Sequence, residues 1–289
     1  MITTKRAHLR RLQGPDGYFR ILAVDHCAVF SGLMQGALRR TPGEEEIHLS
    51  KEDVIRALSP FASAVLVDPA YASRSKTSQS SQPEFGLLIS IEGSDYSTQD
   101  FRRDYLMPGI TVRRIKEMGA DCVKLFLYYR PDSHFAAEQR ELIGRIADNC
   151  SAEQIPFLVE PIVFPLGPER LSPEEKAELS LEVVRDLRDY DIDVLKIEFP
   201  GDLQAFPKEK NLEICRSVTD AAQCPWIIPS SGAAKDALSG QLAISIQAGG
   251  RGFAIGRTVW QPYLTAPIPE KQGKRNAMAE QFSALCRIN

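Results

Sequence analysis

Three observations predict an α/β fold, a single-domain (β/α)8 TIM barrel over residues 1–289: eight short β-rich runs, amphipathic stretches between them, and a length common among α/β barrels. The runs are YFRILAVD to Asp25, SAVLVD to Asp68, GLLISIE to Glu92 and DCVKLFLYY to Tyr129. They continue with IPFLVEP around Glu160, DVLKIEFP around Lys196, CPWIIPSS to Ser231 and GGRGFAIG to Gly256. Helices are expected over 51–59, 108–118, 135–150, 173–190, 209–219, 234–247 and 270–287, the fourth opening on Ser172-Pro173-Glu174-Glu175, a capped helix start. A doubly wound open sheet is the alternative arrangement of the same alternation. No repeat or interdomain linker divides the chain, which reads as one domain with a short N-terminal extension over about 1–18 and a C-terminal helix.

Two stretches break the compact rhythm. SGLMQGALRRTPGEEEIHLSKED follows the first strand and ASRSKTSQSSQPE, residues 72–84, follows the second; both read as loops on the upper face. The second is small and polar, which suits either a lid that closes over substrate or an ordinary surface loop.

Composition narrows the class. Hydrophobic residues make up 43% and charged residues 25%, as in ordinary globular proteins; the net charge is -3 and the Lys and Arg are scattered rather than massed, so no nucleic-acid footprint is present. The amino terminus has basic residues without an apolar segment behind them, and no stretch reaches the roughly eighteen apolar residues of a span. A cytoplasmic protein with no membrane partner is the expectation. The cysteines at 27, 122, 150, 215, 224 and 286 form no CxxC pair and read as reduced thiols, small apolar residues of the interior.

Strand parity assigns directions to the ionisable residues. Side chains alternate across a strand, and in barrels of this kind the site lies at the carboxyl ends. Leu195, Ile197 and Phe199 suit the helical layer, so Val194, Lys196 and Glu198 face inward. The same rule sends Cys122, Lys124 and Phe126, Leu158 and Glu160, and Ile21, Ala23 and Asp25 to the barrel axis. Any one of these charges alone fits a structural salt bridge equally well. Two lysines among three carboxylates at neighbouring strand ends fit chemistry better, because a lysine crowded by another ammonium loses its proton more easily and the neutral amine attacks a ketone. Ser230-Ser231-Gly232 after the seventh run and Gly256-Arg257 after the eighth occupy the usual phosphate-binding corner of such barrels, where glycine amides and helix starts meet the oxygens.

The ordered series LAVDHCAVF, LSPFASAVLVDPAY, GADCVKLFLYYRPD, IPFLVEPIVFP, DVLKIEFP, SSGAAKDAL and GFAIGRTVW resembles class I aldolases of the tagatose-1,6-bisphosphate aldolase and sulfofructosephosphate aldolase group, over nearly the whole chain. The resemblance implies a (β/α)8 barrel, no metal and no cofactor, and cleavage of a ketohexose 1-phosphate into dihydroxyacetone phosphate and a three-carbon aldehyde. It implies Lys196 as the Schiff-base lysine, Glu160 as the proton shuttle, Lys124 beside the imine and Asp25 on the substrate hydroxyls. Ser231, Gly232, Gly256 and Arg257 would hold the phosphate.

One departure concerns the far end of the substrate. That group carries Asp-Gln-Arg where this chain has Asp25-His26-Cys27, so a partner for a second phosphate or a sulfonate is missing. Arg130, Arg74 and Arg251 are the arginines that would compensate, and His26, Glu198, Arg130 and Ser230 are further substrate-contact candidates. His26 and Cys27 also suggest a metal, but no further ligand set accompanies them. YYRPD and VEPIVFP look nearer the sulfosugar branch of that group and VDPAY nearer the tagatose branch, which ranks 6-deoxy-6-sulfofructose 1-phosphate slightly ahead of tagatose 1,6-bisphosphate. A sugar-phosphate isomerase or epimerase, which would not need Lys196, and a non-catalytic sugar-phosphate sensor are the competing classes. Symmetric homo-oligomers are common among barrel enzymes and are expected here.

Overall fold

Strand β1 (Phe19–Ala23) pairs in parallel with β2 (Ala64–Val67) on one side and with β8 (Gly252–Ile255) on the other, which closes the sheet. Between them run β3 (Gly86–Ser90), β4 (Cys122–Tyr128), β5 (Phe157–Ile162), β6 (Val194–Lys196) and β7 (Trp226–Pro229), in sequence order around a closed barrel. The chain is a (β/α)8 TIM barrel, and the open-sheet alternative falls. This computed structural model describes residues 4–75, 85–93 and 106–287.

The helices are α1 (Lys5–Arg11), α2 (Cys27–Leu38), α3 (Glu44–Leu58), α4 (Pro69–Ser75), α5 (Val112–Glu117) and α6 (Ala136–Glu153). They continue with α7 (Pro173–Leu187), α8 (Lys208–Ala221), α9 (Lys235–Gln247), α10 (Arg257–Leu264) and α11 (Lys271–Leu285). The start of α7 is the one read from sequence: the Ser172 hydroxyl accepts from Glu175 N at 3.2 Å, and the Glu175 carboxylate accepts from Ser172 N at 2.8 Å, a capping box with Pro173 in the first turn.

The stretch after β1 was expected as a loop and is instead α2 and most of α3. Its glycines and Thr41-Pro42-Gly43 read as breaks, yet Phe30 and Met34, one turn apart, are buried on one face of α2. In α3 the Glu46 carboxylate caps Gly43 N at 2.9 Å, Glu44 to Glu46 oppose the positive helix end, and Val54, Ile55 and Leu58 are buried. The helix expected over 51–59 is therefore only the second half of α3. Helix α10 was likewise unforeseen; of the loop and lid candidate 72–84, residues 72–75 are instead the end of helix α4, and residues 76–84 lie outside the described residues.

Two apolar layers confirm the parity. Ile21, Ala23, Ala64, Leu66, Leu88, Cys122, Leu158, Val194, Ile227 and Ala254 fill the barrel interior, while Leu22, Val65, Ile89, Val123, Val159, Leu195 and Phe253 pack in the larger core shared with the helices. Helix α1 covers the amino-terminal end of the barrel. Leu12, at its end, joins the interior cluster, His8 Nδ1 and Arg11 Nε each lie 2.9 Å from Asp121 Oδ1, and Lys5 reaches Asp191 and Asp193 at 3.0 Å. With that end plugged, the opposite end is left for a ligand. Among the described residues no helix is long and apolar enough to cross a membrane, and all six cysteines are free, with Cys122, Cys150 and Cys215 buried.

Candidate active site

Register brings the charged residues together. Leu158 pairs with Val194, so two residues further along Glu160 draws level with Lys196; Phe126 pairs with Glu160, which sets Lys124 one inward position below it. Lys196 and Lys124 are each only 2% exposed. Glu160 lies between them, Oε1 at 2.7 Å from Lys196 Nζ and Oε2 at 3.3 Å from Lys124 Nζ. Lys124 also donates to Asp25 Oδ2 at 2.9 Å and to Glu92 Oε1 at 2.6 Å. The two lysines are thus coupled through a shared carboxylate rather than set directly against each other.

Glu92 was identified in the sequence only as the end of a strand. Its signal was available: a carboxylate two residues beyond Ser90, which pairs with Lys124, faces the same axis.

Buried charge is tolerated here because it is paired. Burial works against ionisation of Asp25, but Lys124, His26 and Lys196 together hold its carboxyl well below the usual carboxylate range. Burial moves Glu92 the other way, upward, with Lys124 offsetting only part of the effect and the neighbouring Asp25 adding to it. His26 Nδ1 lies 3.2 Å from Asp25 Oδ1 without hydrogen-bond alignment, so that contact is electrostatic.

A cavity of about 310 Å³ opens above this cluster. Lys196, Glu160 and Glu198 line it together with Ser230, Ser231, Gly256 and Arg257 and with His26, Val29, Phe126, Tyr128 and Ile162, whereas the expected site residues Asp25 and Lys124 lie buried beneath the lining and Gly232 is outside it. The corner expected to bind phosphate needs glycine twice. Ser231 and Gly232 carry φ of 42° and 74°, two successive left-handed residues that turn the chain from β7 toward α9. A Cβ on Gly256 would collide with the Ala23 carbonyl, which already accepts from Trp260 Nε1 at 2.9 Å. Gly256 is the N-cap of α10 and Arg257 its first residue, so the guanidinium sits at a helix start beside the cavity.

The remaining arginines are placed elsewhere. Arg130 pairs with Asp132 at 2.5 Å and donates to the Phe164 carbonyl at 3.2 Å, outside the cavity lining. Arg74 meets Glu44 and Glu45. Arg251 precedes β8 and stacks over Tyr18, at the amino-terminal end of the barrel, so the expectation that it serves the ligand is corrected. Among the described residues no group of three His, Cys, Asp or Glu is arranged to hold a metal ion. Cys27 instead faces Lys51, whose Nζ lies 3.8 Å from its sulfur and also pairs with Asp68; burial and then Asp68 push the Cys27 thiol up to about 12.

Comparison with known proteins places the chain in a family. The tagatose 1,6-diphosphate aldolase 1 of Enterococcus faecalis is 31% identical, over 89% of this chain and 84% of its own length. The tagatose 1,6-diphosphate aldolase 2 of Streptococcus mutans is 28% identical over 99% of this chain and 92% of its own. Among solved structures, an archaeal fructose-1,6-bisphosphate aldolase with its catalytic Lys bound to a carbinolamine intermediate superposes with a TM-score of 0.66 at 20% identity, covering 96% of this chain and 98% of that one. The fructose-bisphosphate aldolase of Plasmodium falciparum gives 0.74 at 13%, covering 96% and 92%. At such identities the structures show a shared fold. The family model described as DeoC/LacD family aldolase matches residues 19–262, and with a barrel of this kind and relatives of this identity the chain belongs to that family and is an aldolase.

Proposed function

We propose that the chain is a class I aldolase that forms a Schiff base between Lys196 and a ketose 1-phosphate, releasing dihydroxyacetone phosphate and a three-carbon aldehyde. The observation that carries this reading is Glu160 shared by two buried lysines, with Lys196 lining a cavity that also presents Arg257 at a helix start. The resting Lys196 ammonium gives its proton to Glu160, 2.7 Å away, and the neutral amine attacks the C2 carbonyl. Glu160 returns the proton to the carbinolamine hydroxyl, which leaves as water, and the cationic imine then accepts the electrons of the C3–C4 bond as Glu160, again a carboxylate, takes the C4 hydroxyl proton; protonation of the resulting enamine at C3 and addition of water to the imine release dihydroxyacetone phosphate and restore Lys196. Lys124 and Asp25 orient substrate hydroxyls. Ser231, Gly232, Gly256 and Arg257 hold the phosphate, so binding energy remote from the reacting carbons places the ketone against Lys196.

The relatives' names favour tagatose 1,6-bisphosphate over the 6-deoxy-6-sulfofructose 1-phosphate that the motifs ranked slightly ahead. Borohydride reduction in the presence of dihydroxyacetone phosphate tests the mechanism: a stable mass increase confined to Lys196 supports it, and an unchanged mass eliminates it, along with its distinction from isomerases that need no imine. A panel of ketose 1-phosphates with hydrogen, phosphate or sulfonate at carbon six then ranks the substrates.

A further inference from the structure

The charges around Lys124 do not balance. Within the described residues its ammonium meets three carboxylates, Glu92 at 2.6 Å, Asp25 at 2.9 Å and Glu160 at 3.3 Å, and the only other cation in direct contact with any of the three, besides His26 in its protonated form, is Lys196 on Glu160. All five side chains are buried. Two ammonium groups against three carboxylates leave an excess negative charge, and the imine chemistry proposed above, on which this inference rests, does not relieve it, because the proton that Lys196 gives up passes to Glu160 and stays within the cluster. Excess charge of one sign in a buried cluster is relieved by taking up a proton.

The contacts select the carboxylate that holds it. Glu160 touches both lysines, and Asp25 has Lys124 and the imidazole of His26. Among the described residues Glu92 has Lys124 alone, through one oxygen, and its Oε2 is buried without a hydrogen-bond partner. Among the described residues, the charged and titratable groups that face this region from the surrounding elements are Asp25, His26 and Cys27 after β1, Asp68 with Lys51 after β2, Lys124 on β4, Glu160 on β5, Lys196 with Glu198 at the end of β6, and Arg257 after β8, which lines the cavity above the cluster and touches none of its three carboxylates.

We propose that Glu92 is a positioning residue that works as the neutral acid: through Oε1 it anchors the Lys124 ammonium, and by staying uncharged it leaves the two lysines balanced by Asp25 and Glu160. The balance then holds in the resting state, with Lys196 an ammonium, and again in the cationic imine. An ionised Glu92 would add a second net attraction for protons, keep Lys196 an ammonium and starve the attack of free amine. The upward displacement of its carboxyl by burial and by Asp25 points the same way.

Glu92→Gln and Glu92→Leu separate this role from a structural one. The amide copies the neutral acid, so kcat at neutral pH stays within about threefold of wild type, whereas Glu92→Leu loses the anchor, misplaces Lys124 and lowers kcat on the order of 10²-fold. The wild-type kcat falls on the alkaline side as Glu92 ionises, and in Glu92→Gln that limb is absent or moved to higher pH. Infrared spectroscopy gives a readout independent of turnover: the carbonyl band of a buried carboxylic acid is present in the wild type at neutral pH and missing from Glu92→Gln. Glu92→Gln as impaired as Glu92→Leu, an unaltered alkaline limb, or a wild type without that band would each overturn the proposal. Failure of borohydride trapping would remove the imine reading instead, with the infrared result still deciding where the proton sits.

Discussion

Oε1 of Glu160 lies 2.7 Å from Nζ of Lys196, and the opposite oxygen of the same carboxylate reaches Lys124. One group therefore touches both the amine proposed to attack and the cation proposed to orient the substrate, and most consequences of the site follow from that bridge.

Lys196→Ala removes the amine, and the fold is expected to persist because Glu160 keeps Lys124 as a counter-charge. Turnover falls by about 10³-fold or more and the borohydride adduct with dihydroxyacetone phosphate disappears. Intact-protein mass spectrometry and an aldehyde-release assay measure both; retained turnover sinks the Schiff-base mechanism.

Glu160→Gln deprives two buried ammonium groups of a shared counter-charge. Breaking one buried pair typically costs about 3–5 kcal/mol, so the urea midpoint drops. The loss of the proton shuttle lowers kcat by about 10²–10⁴-fold. Adduct formation slowed as much as turnover, in single-turnover trapping, places Glu160 in the imine-forming steps; trapping at the wild-type rate confines it to later ones.

Arg257→Ala acts on binding more than on chemistry. With the guanidinium gone from the cavity lining, KM for the phosphorylated ketose rises about tenfold or more while kcat changes less, because a charge-assisted hydrogen bond to the phosphate persists through the reaction. Steady-state kinetics with phosphorylated and dephosphorylated ketoses checks this, and an equal loss with both substrates would count against a phosphate contact.

Stability should vary with pH in opposite senses at two carboxyls. Asp25 is held well below its ordinary 3.8, so its contribution is full above that pH and is lost as the pH falls through its lower folded value. Glu92 is displaced above its ordinary 4.5, so its contribution is full below 4.5 and is lost as the pH rises through the higher folded value. Glu92→Gln removes the second dependence, gaining on the wild type by about 1.4 kcal/mol for each pH unit of displacement. Denaturant midpoints across mildly acidic to alkaline pH measure it; parallel curves would contradict the assignment.

Behind the site, Lys51 and Asp68 form a buried ion pair whose value lies in its completeness. Lys51→Met leaves Asp68 buried and uncompensated, costing about 3–5 kcal/mol, whereas Lys51→Met with Asp68→Leu recovers much of the loss. A thermal-unfolding cycle over the two positions reads the coupling.

Local alternation carried much of the fold and site in the sequence itself. The eight runs, the inward set of Lys124, Glu160 and Lys196, and the glycine and arginine of the proposed phosphate corner follow from a period of two and from the chemistry of turns, both properties of short segments. Helices α2, α10 and the first half of α3 did not show, because buried pairs such as Phe30 and Met34 overrode the glycines and the Thr41-Pro42-Gly43 break. Closure of the barrel decided what lay furthest apart in the chain. It set the stagger that lifts Glu160 to Lys196, carried Glu92 and Asp25 to the same ammonium, and sent Arg251 to the end that α1 covers. Sequence determined which residues face the axis; only long-range register, fixed by packing between strands distant in the chain, decided which of them meet.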